Sequence, residues 1–191
     1  MKQKAIFLDR DGVIIEDTHL ITNLSQVKII KGAADAIHKL QEKGYLIFIV
    51  TNQTVVARGM ISLTDVLNLH EKIIEHLRHE NGNIIITKTY LCPHHPNATD
   101  PDFRKACSCR KPKAGMILKA AQEYDIDLKK SYMIGDRVSD ICAGNLAGCT
   151  TLQITSEKSS EKPIESDLEY DSSNLIPNHK IKHLSETIQY V

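Results

Sequence analysis

The chain has 191 residues, 41% of them apolar, which is enough to bury one sizeable core and too few for two comfortable ones, so residues 1–191 are expected to form a single domain. Lysine plus arginine number 24, as do aspartate plus glutamate, giving a formal charge of zero. This balance argues against a broad nucleic-acid or membrane-binding surface, no stretch reaches about 18 apolar residues, and a small ligand is the expected partner.

In chain order, the short apolar run Ala5 to Leu8 is expected to be a buried strand, and it ends on Asp9-Arg10-Asp11-Gly12. A carboxylate on such a loop can act as a nucleophile, its neighbour can carry a proton, and Gly12 lets the backbone turn tightly beside a ligand. Taken alone, the same four residues also fit a surface turn or part of a calcium loop. A helix is expected over Ala33 to Lys43, bracketed by Gly32 and Gly44, with Lys43 in the last turn where it favours the dipole. Tyr45 to Val50 reads as a second strand, ending on Thr51-Asn52-Gln53. Leu63 to His79 reads as a helix, Ile84 to Leu91 as a strand, Ala114 to Tyr124 as a helix and Ser131 to Ile134 as a strand. Gly135-Asp136-Arg137-Val138-Ser139-Asp140 follows, leading into a helix of small residues. Thr155 to Asn178, polar and carrying Pro163 and Pro177, reads as a mobile loop or irregular excursion, and His179 to Val191 as a segment that packs back on the domain.

Alternating strands and helices imply an α/β fold, a doubly wound parallel sheet covered on both faces. Ligands bind such sheets beyond the carboxyl ends of the strands. Asp9, Thr51-Asn52-Gln53 and Asp136 would therefore converge on one crevice. A hydroxyl and backbone N–H groups at Thr51 can hold phosphate oxygens, although a lone threonine there is more often a strand cap. The compact charge of Lys111 suits an attacking carboxylate and a transferring phosphoryl group, although most lysines are simply solvated. Asp140 is expected to orient the surroundings of Asp136, and an acidic helix N-terminus would explain it equally well.

The five cysteines point to metal rather than disulfides, because three cluster beside histidines. Cys92-Pro93-His94 and Cys107-Ser108-Cys109 supply three thiolates and one imidazole, which saturate a tetrahedral zinc ion and leave no open position, so the metal would be structural. His95 is an alternative ligand, but His94 keeps the one-residue gap that mirrors Cys107 and Cys109. The loop runs directly into Arg110 and Lys111, which the zinc would hold over the phosphate site. Cys142 and Cys149 are expected to be small buried thiols.

The stretch Asp9-Arg10-Asp11-Gly12 resembles the first motif of the haloacid dehalogenase superfamily, and Thr51-Asn52-Gln53 resembles the second. Lys111 and Gly135 to Asp140 resemble the third and fourth. With Ala57-Arg58-Gly59, Cys92-Pro93-His94-His95-Pro96 and Cys107 to Pro112, the chain is similar, from Ala5 to about Gly148, to the superfamily's zinc-containing bisphosphatase branch. The resemblance implies a capless, Rossmann-like fold with a zinc-binding loop. It also implies a cytoplasmic, magnesium-dependent phosphatase that removes the 7-phosphate of a heptose bisphosphate through an aspartyl phosphate, in the synthesis of lipopolysaccharide core precursors.

Carried over by that resemblance, Asp9 is the nucleophile, Asp11 the proton donor, and Thr51 and Lys111 steady the phosphoryl group. Asp17, Asn52, Gln53, Thr54, Arg110 and Arg137 meet the substrate. Asp9, Asp11 (through its backbone carbonyl) and Asp136 bind magnesium, and Cys92, His94, Cys107 and Cys109 bind zinc. A phosphorylated sugar is the implied partner, with no nucleic acid or membrane, and the protein is expected to be a monomer. Thr18, His19 and Leu20 stand where the branch continues with Gly and Tyr, and Thr54-Val55 stands in place of Ser-Gly. Both departures lie at substrate-binding turns and bear on the sugar and its anomer. Histidinol phosphate is the alternative substrate, a polynucleotide 3′-phosphatase a more distant one, and a catalytically silent zinc module the reading from another class.

Overall fold

The computed structural model describes residues 2–18, 20–161 and 171–191. Ala5–Leu8 forms strand β1, and all four side chains are fully buried, as they must be on a strand covered from both sides. Ile6 and Leu8 face one layer, where they meet Ile47, Ile49 and Ile134 with Ile37 and Leu40 of helix α1 (Ala33–Glu42) and Ile73 and Leu77 of α3 (Leu63–Glu80). Ala5 and Phe7 face the other, where Phe48, Val50 and Met133 meet Met116, Ile117 and Ala120 of α4 (Gly115–Tyr124) and Ala143 of α5 (Val138–Ala147). The short helix α2 is Thr54–Ala57.

The six strands lie in the order β3-β2-β1-β4-β5-β6, where β2 is Leu46–Asn52, β3 Lys88–Cys92, β4 Tyr132–Gly135, β5 Thr150–Ile154 and β6 His179–Ile181. Every pairing is parallel. The chain builds outward from β1 through β2 to β3, then crosses back to place β4 on the other side of β1. That reversal opens a crevice at the ends of β1 and β4, where Leu8 pairs with Ile134. The expected doubly wound α/β sheet is what forms.

Three expectations need correction or completion. The strand expected over Ile84 to Leu91 begins only at Lys88, because Ile84 leaves the ladder to fill the α1–α3 layer. The second and fourth expected strands shift by one or two residues, to Leu46–Asn52 and Tyr132–Gly135. Strand β5 carries two buried polar residues that hide its character: Thr151 donates to Asn145 Oδ1 at 3.0 Å and Gln153 Nε2 donates to the Ser159 carbonyl at 2.8 Å.

The middle of the expected excursion over Thr155 to Asn178 lies outside the described residues. Its start folds into a turn, Ser156 N donating to Ser159 Oγ at 2.6 Å, and its end into a 3₁₀ turn at Ser172–Leu175. The last segment does pack back: Leu184 joins the core, and Lys43 Nζ donates to the carbonyl of Ile188 at 3.2 Å. No helix among the described residues is long and apolar enough to cross a membrane.

Candidate active site

The crevice is assembled from strand ends. Asp9 leaves β1 with its N–H donating to the Ile134 carbonyl at 2.9 Å, so the register of β1 on β4 fixes where its carboxylate begins. Thr51, fully buried, comes from β2, and Asp136 follows β4. Lys111 reaches in from the loop after the cysteines, and its Nζ contacts the Val50 carbonyl at 2.8 Å, Asp9 Oδ1 at 2.8 Å and Asp140 Oδ1 at 2.6 Å. Asn52 pins that loop to the sheet, donating to the Lys111 carbonyl at 3.0 Å and accepting from its N–H at 3.1 Å.

Oxygens of Asp9, Asp136 and Asp140 lie within 4.8 Å of one another, and all three residues are buried. Three carboxylates around one ammonium leave an excess of negative charge. Burial pushes Asp9 up to about 8 against the pull of Lys111, and pushes Asp136 up to about 7, with Asp140 adding to both. Asp136 Oδ1 is buried without a hydrogen-bond partner among the described residues. An oxygen-lined pocket of this kind fits a hard divalent cation such as magnesium. Gly12 closes its floor: at φ +81°, a Cβ there would stand 2.6 Å from Asp136 Cγ.

Asp140 performs two tasks, anchoring Lys111 through Oδ1 and accepting from the Arg137 N–H through Oδ2 at 3.0 Å, which caps α5. The carboxylate of Asp11 is not in the acid cluster. It turns to Arg10 and Gln53 instead, so of the three residues expected at magnesium only Asp9 and Asp136 bring side-chain oxygens together, and Asp11 retains its backbone carbonyl as the expected donor.

A cleft of about 520 Å³ opens above this cluster. Asp17, Asn52, Gln53, Thr54, Arg110 and Arg137, the residues expected to meet a substrate, all line it, and so do Arg58, His95 and Glu161, for which no place in a cleft was expected. The Ala57-Arg58-Gly59 match was the available signal for Arg58 and Cys92-Pro93-His94-His95-Pro96 that for His95; Glu161 is brought in by tertiary folding alone. At one end Arg110 and Arg58 face His95, whose protonation is disfavoured by burial first and then by both arginines. At the other, Arg137 is engaged by Asp17 at 2.9 Å and Glu161 at 3.3 Å, so this cation is already matched by carboxylates.

The four expected zinc ligands lie together. Cys92 Sγ stands 3.6 Å from Cys107 Sγ and 3.6 Å from His94 Nδ1, and Cys109 Sγ lies 3.1, 3.4 and 3.4 Å from Cys92, Cys107 and His94. Tetrahedral zinc implies edges of roughly 3.8 Å between sulfurs and 3.6 Å from sulfur to nitrogen, so the set fits after a small expansion. The close contact of Cys92 and Cys109 draws Cys109 down to about 5 and pushes Cys92 up in return, a crowding that a cation would relieve. His95, the alternative ligand, lies outside the group. The loop rests on the start of α4, where Gly115 N donates to the Ser108 carbonyl at 3.0 Å and a Cβ would stand 2.2 Å from that oxygen. Arg110 Nη1 donates to the His94 carbonyl at 3.1 Å, joining the cysteine cluster to the cleft.

Residues 108–187 match the family described as HAD-hydrolase-like. The D-glycero-β-D-manno-heptose-1,7-bisphosphate 7-phosphatase of Haemophilus ducreyi is 38% identical over 151 residues, 79% of this chain and 82% of its own. The D-glycero-α-D-manno-heptose-1,7-bisphosphate 7-phosphatase of Campylobacter jejuni is 38% identical over 161 residues, 84% and 87% of the two chains. The crystal structure of D,D-heptose 1,7-bisphosphate phosphatase from B. bronchiseptica, complexed with magnesium and phosphate, shares the fold with a TM-score of 0.76 over 98% of this chain and 97% of that one, at 23% identity. Fold and relatives define the class, a haloacid dehalogenase-type hydrolase acting on phosphoric monoesters. Within it, the chain belongs to the family of the heptose-1,7-bisphosphate 7-phosphatases.

Proposed function

We propose that residues 1–191 act as one phosphatase domain that removes the 7-phosphate of D-glycero-D-manno-heptose 1,7-bisphosphate, supplying precursors for lipopolysaccharide core. The observation that carries this reading is Asp9, buried at the end of the central strand, 2.8 Å from Lys111 and grouped with Asp136 beneath a polar cleft. The relatives support the substrate. One is named for the β anomer and the other for the α anomer, so the anomer is the finest point at issue.

An oxygen of Asp9 attacks phosphorus, forming the Asp9–phosphorus bond as the bond to the sugar oxygen breaks. Asp11 gives its proton to the departing alkoxide, then takes one from the water that attacks the aspartyl phosphate and releases inorganic phosphate. Lys111 and Thr51 steady the phosphoryl oxygens, and Lys111 also holds Asp9 in line. Asp9, Asp136 and the Asp11 carbonyl would hold magnesium, which when bound offsets the charge of the carboxylates and of the phosphoryl group. Asn52, Gln53, Thr54, Arg110, Asp17 and Arg137 meet the rest of the sugar bisphosphate.

Cys92, His94, Cys107 and Cys109 would hold zinc, which would fix the loop that presents Arg110 and Lys111. Three thiolate ligands need a reducing compartment, which favours the cytoplasm. The test is phosphate release from heptose 1,7-bisphosphate, in both anomers, and from histidinol phosphate, with and without magnesium. Magnesium-dependent turnover of a heptose bisphosphate at least tenfold above histidinol phosphate is expected; the reverse preference would overturn the assignment.

A further inference from the structure

Arg10 stands between the two acids of the β1 loop, and its side chain turns inward until it is 1% exposed. A guanidinium does not shed its proton when buried, so it must find an anion, and it takes Asp11. Nη2 donates to Asp11 Oδ1 at 2.9 Å and Oδ2 at 3.0 Å, and Nε donates to Oδ1 at 3.3 Å. Gln53 closes the ring. Its Oε1 accepts from Arg10 Nη2 at 3.0 Å, and its Nε2 donates to Asp11 Oδ2 at 3.1 Å and to Thr51 Oγ1 at 2.8 Å.

Both oxygens of Asp11 are thus gripped, and the grip is tied directly to Thr51. Arg10 Nη1 meanwhile is buried with no hydrogen-bond partner among the described residues. A buried guanidinium with an unmatched donor, paired to a carboxylate at the cleft wall, is a poor way to stabilise a core compared with an apolar side chain of similar size. The arrangement makes sense if what it secures is the direction of the Asp11 carboxyl.

We propose that Arg10 is a positioning residue: with Gln53, which is itself anchored on Thr51, it fixes the approach of the Asp11 carboxyl to the leaving oxygen. This rests on the reading of Asp11 as the proton carrier. Its consequence is selective. An alkoxide needs a proton to leave, whereas p-nitrophenolate departs without one. Misaiming Asp11 should therefore slow cleavage of a sugar phosphate far more than cleavage of an aryl phosphate.

The experiment measures the first bond cleavage under single turnover, enzyme in excess, with heptose 1,7-bisphosphate and with p-nitrophenyl phosphate, for the wild type, Arg10→Gln, Arg10→Lys and Asp11→Asn. Expected is a loss for Arg10→Gln at least tenfold greater on the sugar phosphate than on the aryl phosphate, with KM little changed and Arg10→Lys intermediate. Equal losses on both substrates for the Arg10 variants, while Asp11→Asn remains selective, would overturn the proposal and leave Arg10 a structural residue. If Asp11→Asn itself shows no selectivity, the proton-carrier reading falls and takes the proposal with it. Should Arg10→Gln not fold, Arg10→Lys decides by the same criterion.

Discussion

The acid cluster and the thiol cluster hold their charges in opposite ways. Asp9 and Asp136 sit on the ends of adjacent strands, and the register of Leu8 on Ile134 fixes them before any ligand arrives. Cys107 and Cys109 sit on a loop with little regular structure, half-buried, held by a few hydrogen bonds to Asn52, Gly115 and Arg110 rather than by a strand ladder. The first site is organised by the sheet and strained by its own charge. The second gathers four residues that could hold a metal on a loop tied down at a few points. Because Lys111 lies at the end of that loop and reaches Asp9, the less rigid region feeds the more rigid one.

Breaking the sheet-held site should have the largest effect. Asp9→Asn removes the proposed nucleophile while keeping its size, and turnover should fall by roughly 10⁴-fold or more, read as phosphate release with the fold checked by circular dichroism. Breaking the metal-held site should cost less, because Lys111 keeps its anchors at Val50 and Asn52. Chelation to a zinc-free state should lower kcat roughly 10- to 100-fold together with thermal stability; full activity in protein shown to be metal-free would separate the two regions.

A milder probe of the same link is Gly115→Ala, whose new methyl would strike the Ser108 carbonyl. A loss of about 1–3 kcal/mol in urea unfolding is expected, with weaker zinc retention and an intact sheet. The smallest effect at neutral pH belongs to His70, held down to about 3 by burial and then by the Arg10 charge, its Nε2 2.7 Å from Thr89 Oγ1. Between pH 6.5 and 3 the unfolded chain binds a proton there that the folded one does not, so stability falls as pH falls. At pH 5 the loss is about 2 kcal/mol. His70→Gln should flatten the change in unfolding free energy between pH 7 and pH 5 by about that amount.

The sheet-held region was largely legible in the sequence. Near-continuous apolar runs announce β1 and β2, and the polar residues that end them come together because parallel strands put like ends on one side. The grouping of Cys92, His94, Cys107 and Cys109 was legible from spacing. Strand β5 was not, because Thr151 and Gln153 look like surface residues until their hydrogen bonds to Asn145 and Ser159 are seen. Nor could the sequence reveal that Arg10 turns inward, or that Arg137 is met by Asp17 and Glu161. Each depends on contacts between segments far apart in the chain.

The most direct measurement is to catch the phosphoryl group on the protein. Asp11→Asn, reacted with radiolabelled p-nitrophenyl phosphate and quenched in acid, should carry label on the peptide containing Asp9, released by hydroxylamine and absent when Asp9 is also replaced by Asn. Label on another residue would contradict the account, as would nitrophenolate release in step with free phosphate and no labelled peptide.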